Sequence, residues 1–395
     1  MKTQVAAPAP TWLLVLVTFS ATVAMHMFVP ALTVAGADLQ ASAAAMQTTI
    51  TVYIIGLAVG QLLYGPLSDR IGRRPTLLVG LSLFSVASLG CLLAPSAQLL
   101  IYARFAQALG GCAGLMLARA IVSDTGGEHT LKQLGLLSLM AMLSPGFAPL
   151  LGSLVVAVAG WRAMFACFVA LGVVSVFFTW RLLPETRQMR PADAGGSVLH
   201  DAWALLKSPV FVGCVIGGGG STSAYYAFIT AAPFLFVTRL HEPVHTVGPF
   251  LTLIVSTMLV GAYSVRLMAG RLPAMRIAAA AGLLSTTAAI VVLLRMLLGS
   301  PGSAEIVVAM MVYSLGVGIC SPAASAASMA INPKVAGSAA GVYGAGQMAI
   351  GALCAASVSL MDDHALAAFI VLAVAGIAGQ LGFRVALRAE RAAAA

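Results

Sequence analysis

The sequence predicts an all-α polytopic membrane protein, with twelve transmembrane helices in two pseudo-symmetric six-helix bundles. Three observations carry that reading. The 395 residues are 60% hydrophobic and 8% charged, with mean hydropathy +1.00, far from the composition of a water-soluble domain. Long uncharged runs follow one another along the whole chain. Lys and Arg gather on one side of those runs.

An α-helix rises about 1.5 Å per residue, so roughly 20 apolar residues cross a hydrocarbon core. Twelve runs meet that length, near 12–35, 45–64, 75–95, 98–118, 134–158, 161–182, 209–236, 247–264, 276–298, 304–325, 336–359 and 365–386. Gly and Pro inside several of them are tolerated where neighbouring helices satisfy the freed backbone groups.

With the N-terminus inside, seventeen of the 21 Lys and Arg fall on the cytoplasmic face. Only Arg162, Arg239 and Arg295 lie outside, and Arg104 lies within the bilayer. The positive-inside rule therefore places both termini in the cytoplasm of a bacterial inner-membrane, multi-pass protein. The apolar run after Lys2 continues past Pro30 and eleven spans follow it, so it reads as a span and not as a cleaved signal.

The net charge of +9 serves topology and attraction to the anionic lipid bilayer, and no nucleic-acid module is present. Six cysteines sit one per span without metal spacing, which points to packing residues and to no metal or cofactor. No Gly-rich loop ends in Lys-Ser or Lys-Thr, so the chain is read as no enzyme, leaving ion-coupled or passive transport.

The longest polar stretch lies between spans six and seven. It divides the chain into an N-terminal bundle, 1–183, a cytoplasmic linker, 184–207, and a C-terminal bundle, 208–395. Two similar halves place a binding cavity at their interface near the bilayer midplane. Internal repetition is weak: Pro30 matches Pro233, and the stretch from Gly261 to Arg271 is a degenerate echo of the one after span two.

That stretch reads Gly65-Pro66-Leu67-Ser68-Asp69-Arg70-Ile71-Gly72-Arg73-Arg74. Gly65 and Gly72 permit close helix approach and a tight turn, and Asp69 can face the positive end of a helix. The decapeptide resembles motif A of the major facilitator superfamily, G-x-L-[AS]-D-R-x-G-R-[RK], at every defining position. The resemblance implies that Asp69 meets the start of span eleven near Ala336 and latches the cytoplasmic side, with Arg73 paired to Asp124. The alternative is that Asp69, Arg70 and Arg73 only set topology.

Arg104 opens Arg104-Phe105-Ala106-Gln107-Ala108-Leu109-Gly110, which resembles motif B, whose arginine serves coupling or substrate binding. An intramembrane arginine is costly and usually faces a bundle interior, but Arg104 also lies near enough to the outer end to snorkel. In span five, Ser144-Pro145-Gly146-Phe147-Ala148-Pro149-Leu150-Leu151-Gly152 resembles the antiporter motif C of drug exporters. Its prolines and glycines, Pro145, Gly146, Pro149 and Gly152, loosen the helical ladder and suit a bending element.

Tyr53 through Arg70, with Ala118-Arg119-Ala120-Ile121-Val122-Ser123-Asp124, is similar to the bicyclomycin and chloramphenicol resistance (Bcr/CflA) subfamily of drug:proton antiporters. The resemblance implies the major facilitator fold and efflux of small amphipathic compounds, phenicol-type or similar, by alternating access in exchange for protons. One departure stands out. Where the subfamily has an acid in D-M-Y-x-P, this chain reads His26-Met27-Phe28-Val29-Pro30, and none of its twelve acids lies in the middle of a span.

Two readings of His26 stand open: a proton shuttle, or a neutral hydrogen-bonding group in a carrier whose coupling is lost or different. Either way, loss of the acid removes an attraction for cationic substrates and favours neutral or anionic ones.

Polar, aromatic and methionine side chains expected at the cavity are Met27, Tyr53, Gln61, Gln107, Met142, Tyr225, Tyr226, Tyr313 and Gln347, each equally open to ordinary packing. The expected state is a monomer. The competing functions are export or facilitation of a physiological metabolite (amino acid, sugar or nucleoside) and a transport-incompetent scaffold or sensor.

Overall fold

Peptide groups in hydrocarbon must bond within their own segment, so helices are the economical answer to this composition. The computed structural model describes residues 9–125, 130–186, 203–268, 271–299, 301–331 and 336–394, and among them there are helices and no strand. The chain divides into two compact units, Met1–Pro191 and Ala192–Ala395.

The first unit holds α1 (Thr11–Met27), a 3-10 turn at Val29–Ala31, α2 (Leu32–Asp38), α3 (Ala43–Ile71), α4 (Arg73–Leu92), α5 (Ala97–Thr125), α6 (Thr130–Ala159) and α7 (Trp161–Leu182). The second holds α8 (Pro209–Gly218), a π turn at Gly219–Ser223, α9 (Tyr225–Pro233), a second π turn at Phe234–Arg239, α10 (Val244–Met268), α11 (Ala274–Leu298), α12 (Ser303–Ala330), α13 (Ala336–Ser359) and α14 (His364–Ala394).

Ten segments among the described residues are long and apolar enough to cross a bilayer. Residues 130–159, a helix bearing Pro145 and Pro149, and 209–239, interrupted by two π turns, complete the set.

Pairing repeats between the units. In the first, α4 packs on α5 and α7, and α3 packs on α5; in the second, α11 packs on α12 and α14, and α10 packs on α12. Phe28, Phe84, Phe165 and Phe168 fill the first interior, while Phe211, Met275, Tyr343 and Phe383 gather in the second. The cysteines are free, and all but Cys167 are buried.

Each of the three arginines read as outward-facing meets an acid. Arg162 binds Asp38, Arg239 lies 2.8 Å from Asp363, and Arg295 lies 2.9 Å from Glu305.

The Gly65–Arg74 stretch is not the loop that its polarity implied. Residues 65–71 continue α3, and Gly72 alone separates α3 from α4. Polar side chains do not stop the helical ladder once it leaves hydrocarbon; Gly72 N–H still donates to the Ser68 carbonyl at 3.1 Å. What ends the helix is the backbone of Gly72, with φ of 102°, a conformation side chains disfavour.

Candidate functional site

In the first unit, the Ala24 carbonyl of α1, Phe28 just after it, and side chains of α3, α5 and α7 converge on Arg104, whose residue is 0% exposed. The long helix α5 carries it inward, so it does not snorkel to a surface. Its Nη1 donates to the Ala24 carbonyl at 3.0 Å and to Gln107 Oε1 at 2.6 Å. Gln107 Nε2 donates in turn to Ser88 Oγ at 2.8 Å.

Three rings surround the guanidinium: its carbon lies 4.1 Å from the centroid of Tyr53, 5.2 Å from Phe28 and 5.9 Å from Phe165. Aromatic faces stabilise a desolvated cation without accepting its directional hydrogen bonds. Arg104 Nε and Nη2 accordingly have no hydrogen-bond partner among the described residues, and no described ion pair includes Arg104.

His26 lies two residues beyond the Ala24 carbonyl that Arg104 grips, and it is buried. Its Nδ1 is 2.9 Å from the Thr22 carbonyl. A carbonyl can only accept, so Nδ1 carries the proton and Nε2 remains an acceptor when the ring is neutral. Met27 is also buried, and Gly152 of α6 packs against its backbone: a Cβ at Gly152 would stand 2.1 Å from the Met27 carbonyl oxygen. Pro145, Gly146 and Pro149 lie within α6, one to two turns before that contact. The side chain of Met142 lies outside the described residues.

At the other end of this unit, Arg73 gathers three partners. Its Nε donates to Asp124 Oδ2 at 2.8 Å, and its Nη1 reaches Asp69 Oδ1 and Ser68 Oγ, each at 2.5 Å. Glu185, which sequence reasoning left in the linker, accepts from the backbone N–H of Arg73 at 2.9 Å and of Arg74 at 3.3 Å. It caps α4 by placing a carboxylate at the positive end of the helix. Gly72 fits its expected turn. Gly65 does not fit the expected close approach, because no described atom stands within 4 Å of where its Cβ would be. Its position directs that vector out of the packed face of α3. Gln61 is half-buried on the same helix.

In the second unit, the π turn at Gly219–Ser223 gathers three of the expected residues. Tyr313 stacks on Tyr225, with centroids 6.2 Å apart and planes at 19°, and its hydroxyl donates to the Ser221 carbonyl at 3.4 Å. Gln347 Nε2 donates to Thr222 Oγ1 at 2.6 Å, and Thr222 donates to the Gly218 carbonyl at 2.6 Å. Tyr226 is half-buried and lies against Gly351. The wall carries hydroxyls, an amide and rings, and no charge.

Sequence reasoning missed Phe28, Phe165, Ser88, Ser221 and Thr222, whose roles come from neighbours distant in the chain. It also missed Gln47, fully buried in α3 with both amide atoms without a hydrogen-bond partner among the described residues. An amide in an apolar run is the one signal that pointed there.

The model of the Major Facilitator Superfamily matches residues 14–356. A chloramphenicol resistance protein from Pseudomonas aeruginosa is 38% identical over 222 residues, which are 55% of this chain and 52% of that protein. The match thus spans about half of that relative. The MFS-type transporter YdgK of Bacillus subtilis (strain 168) is 28% identical over 375 residues, covering 91% of this chain and 90% of that protein. A D-xylose–proton symporter structure superposes with TM-score 0.75 at 16% identity, covering 96% of each chain, a likeness of fold. The chain belongs to the Major Facilitator Superfamily and is a multi-pass membrane protein.

Proposed function

We propose that the transported solute is a small neutral or anionic organic compound of the metabolite kind, carried by alternating access. One observation carries this reading: a fully buried guanidinium with two idle donors and no ion pair to an acid among the described residues. Arg104 Nε and Nη2 seek an acceptor, and a solute bearing a carboxylate, carbonyl or hydroxyl supplies one. A cationic solute meets only repulsion there. The uncharged wall around Tyr225, Tyr313 and Gln347 supplies hydrogen bonds and ring faces to the same class of compound.

Asp69, Arg70, Gly72, Arg73 and Asp124 form the proposed cytoplasmic gate. Pro145, Gly146, Pro149 and Gly152 form the bending element, and His26 sits beside the solute. The cytoplasmic placement of both termini and the monomeric state belong to this proposal as well.

The second reading is efflux of neutral drug-like amphipaths of the phenicol type in exchange for protons. The identity shared with the chloramphenicol resistance protein over half its length favours it. Proteoliposomes separate these outcomes. They are tested with a labelled neutral phenicol, a labelled organic acid, a nucleoside and a cationic dye, with and without a protonophore. Transport of the acid or nucleoside that persists with protonophore supports the metabolite carrier. Protonophore-sensitive movement of the phenicol alone supports the drug reading. Robust export of the dye alone overturns both.

A further inference from the structure

We propose that the groove between α4 and α7 is a binding site for an anionic phospholipid of the inner leaflet. The groove is open, offers about 410 Å³ and is lined by Ser82, Ser85, Val86, Val173, Val176, Phe177 and Trp180. It lies wholly within the first unit. Val86, Val173, Phe177 and Trp180 are each more than half exposed, although all belong to membrane-spanning helices.

The length of the groove suits one acyl chain. Trp180 stands two residues from the end of α7, and Val173 nine residues from it. Ser82 stands nine residues from the start of α4, at the same end of the unit. At about 1.5 Å per residue, the α7 wall runs to roughly 14 Å from the helix end, and Val86 on α4, 13 residues from its start, carries the groove to roughly 20 Å of a ~30 Å hydrocarbon core. Apart from Ser82 and Ser85, whose Oγ donates back to the Leu81 carbonyl, its floor is apolar, as an acyl chain requires.

The mouth supplies the complement to a phosphate. Trp180 occupies the interfacial level where amphipathic rings anchor. Arg181 follows it and is exposed. Arg74 reaches across from α4, its Nη2 donating to the Trp180 carbonyl at 2.6 Å, while its Nε is buried without a hydrogen-bond partner among the described residues. Two arginines at the rim of an acyl-length groove recognise a phosphodiester whose headgroup carries no compensating cation. That is phosphatidylglycerol or cardiolipin chemistry, distinct from phosphatidylcholine.

The test uses the full chain in bilayers with Trp12, Trp161 and Trp203 replaced by Phe, leaving Trp180 as the sole fluorophore. Lipids brominated on the acyl chain quench it on contact. At matched mole fraction, brominated phosphatidylglycerol should out-compete brominated phosphatidylcholine roughly tenfold, and Arg74→Gln with Arg181→Gln should bring the ratio close to one. Native mass spectrometry of the unsubstituted chain reads the same preference as retained lipid, so the result does not hang on the triple replacement. Equal quenching by both lipids, or equal retention, overturns the proposal. So does quenching that a transported solute relieves, which would mark the groove as a solute entrance.

Discussion

Arg104 stacks on Tyr53 with the guanidinium carbon 4.1 Å from the ring centroid, and the Tyr53 hydroxyl donates to the Ala21 carbonyl at 2.8 Å. The tyrosine thus ties α3 to α1 by its hydroxyl while its face holds the charge on α5. The two functions separate by substitution. Tyr53→Phe keeps the ring and should cost about 1 kcal/mol of stability, the worth of one hydrogen bond. Tyr53→Leu also removes the cation–π face and should cost about 2 kcal/mol more. Thermal unfolding in detergent measures both, and equal losses would mean the ring face contributes nothing.

Arg104→Lys tests whether charge alone suffices. An ammonium cannot span the Ala24 carbonyl, Gln107 and a solute acceptor with one planar fork. Transport into proteoliposomes should fall by about tenfold or more for an anionic solute, corresponding to roughly 1.4 kcal/mol. A lysine variant that transports at the native rate would remove Arg104 from solute recognition.

The proposed gate makes a prediction about order of importance. Arg73 and Asp124 are mostly buried, with 15% and 21% of their side-chain surface exposed, whereas Asp69 is 59% exposed. Asp124→Ala should therefore cost roughly 1–3 kcal/mol of stability by leaving Arg73 short of an acceptor. Asp69→Ala should cost less than about 1 kcal/mol. Asp69→Asn should nevertheless slow transport of every solute if Asp69 acts on the gate. Folded protein with unchanged transport would reduce it to a topology signal.

Glycines in the motifs divide by what a methyl group would meet. At Gly152 it would press on the Met27 carbonyl oxygen at 2.1 Å, so Gly152→Ala should cost about 1–3 kcal/mol as α6 is pushed from α1. At Gly65 it would meet nothing described within 4 Å, so Gly65→Ala should be neutral or gain up to about 1 kcal/mol of helix propensity. Differential scanning fluorimetry of the two variants decides it, and equal melting temperatures would contradict the packing argument.

The pattern of what was legible follows from locality. Runs of apolar residues announce a helix wherever they occur, and Arg73 with Asp124 was foreseeable because the gate motif carries its pairing with it. The rings around Arg104 were not, since Tyr53 and Phe165 arrive from two helices, and Phe28 from the end of a third, whose rotation about their axes leaves little trace in a sequence hydrophobic on all sides. Glu185 was read as linker because a solvated acid and a helix cap look alike until α4 is in place. The π turn at Gly219–Ser223 was legible only as a glycine run, because one extra residue per turn changes neither hydropathy nor length.

His26 offers the sharpest prediction. Its Nδ1 is held by the Thr22 carbonyl, and the backbone two residues earlier is gripped by Arg104. A carboxylate at this position stands on the same turn of α1 as the Ala24 carbonyl that Arg104 grips from α5, and Arg104 has two donors without a partner among the described residues. His26→Asp should therefore place an acid where Arg104 can bind it, cancel the local positive charge and admit cationic solutes. Efflux of a cationic dye from energised vesicles should appear in the Asp variant and stop with protonophore, while His26→Ala and His26→Asn should move no dye. A neutral solute should still be carried by the Ala variant, with altered rate or selectivity. If the Asp variant folds, keeps neutral-solute transport and still rejects the dye, then the missing acid does not set solute charge in this transporter.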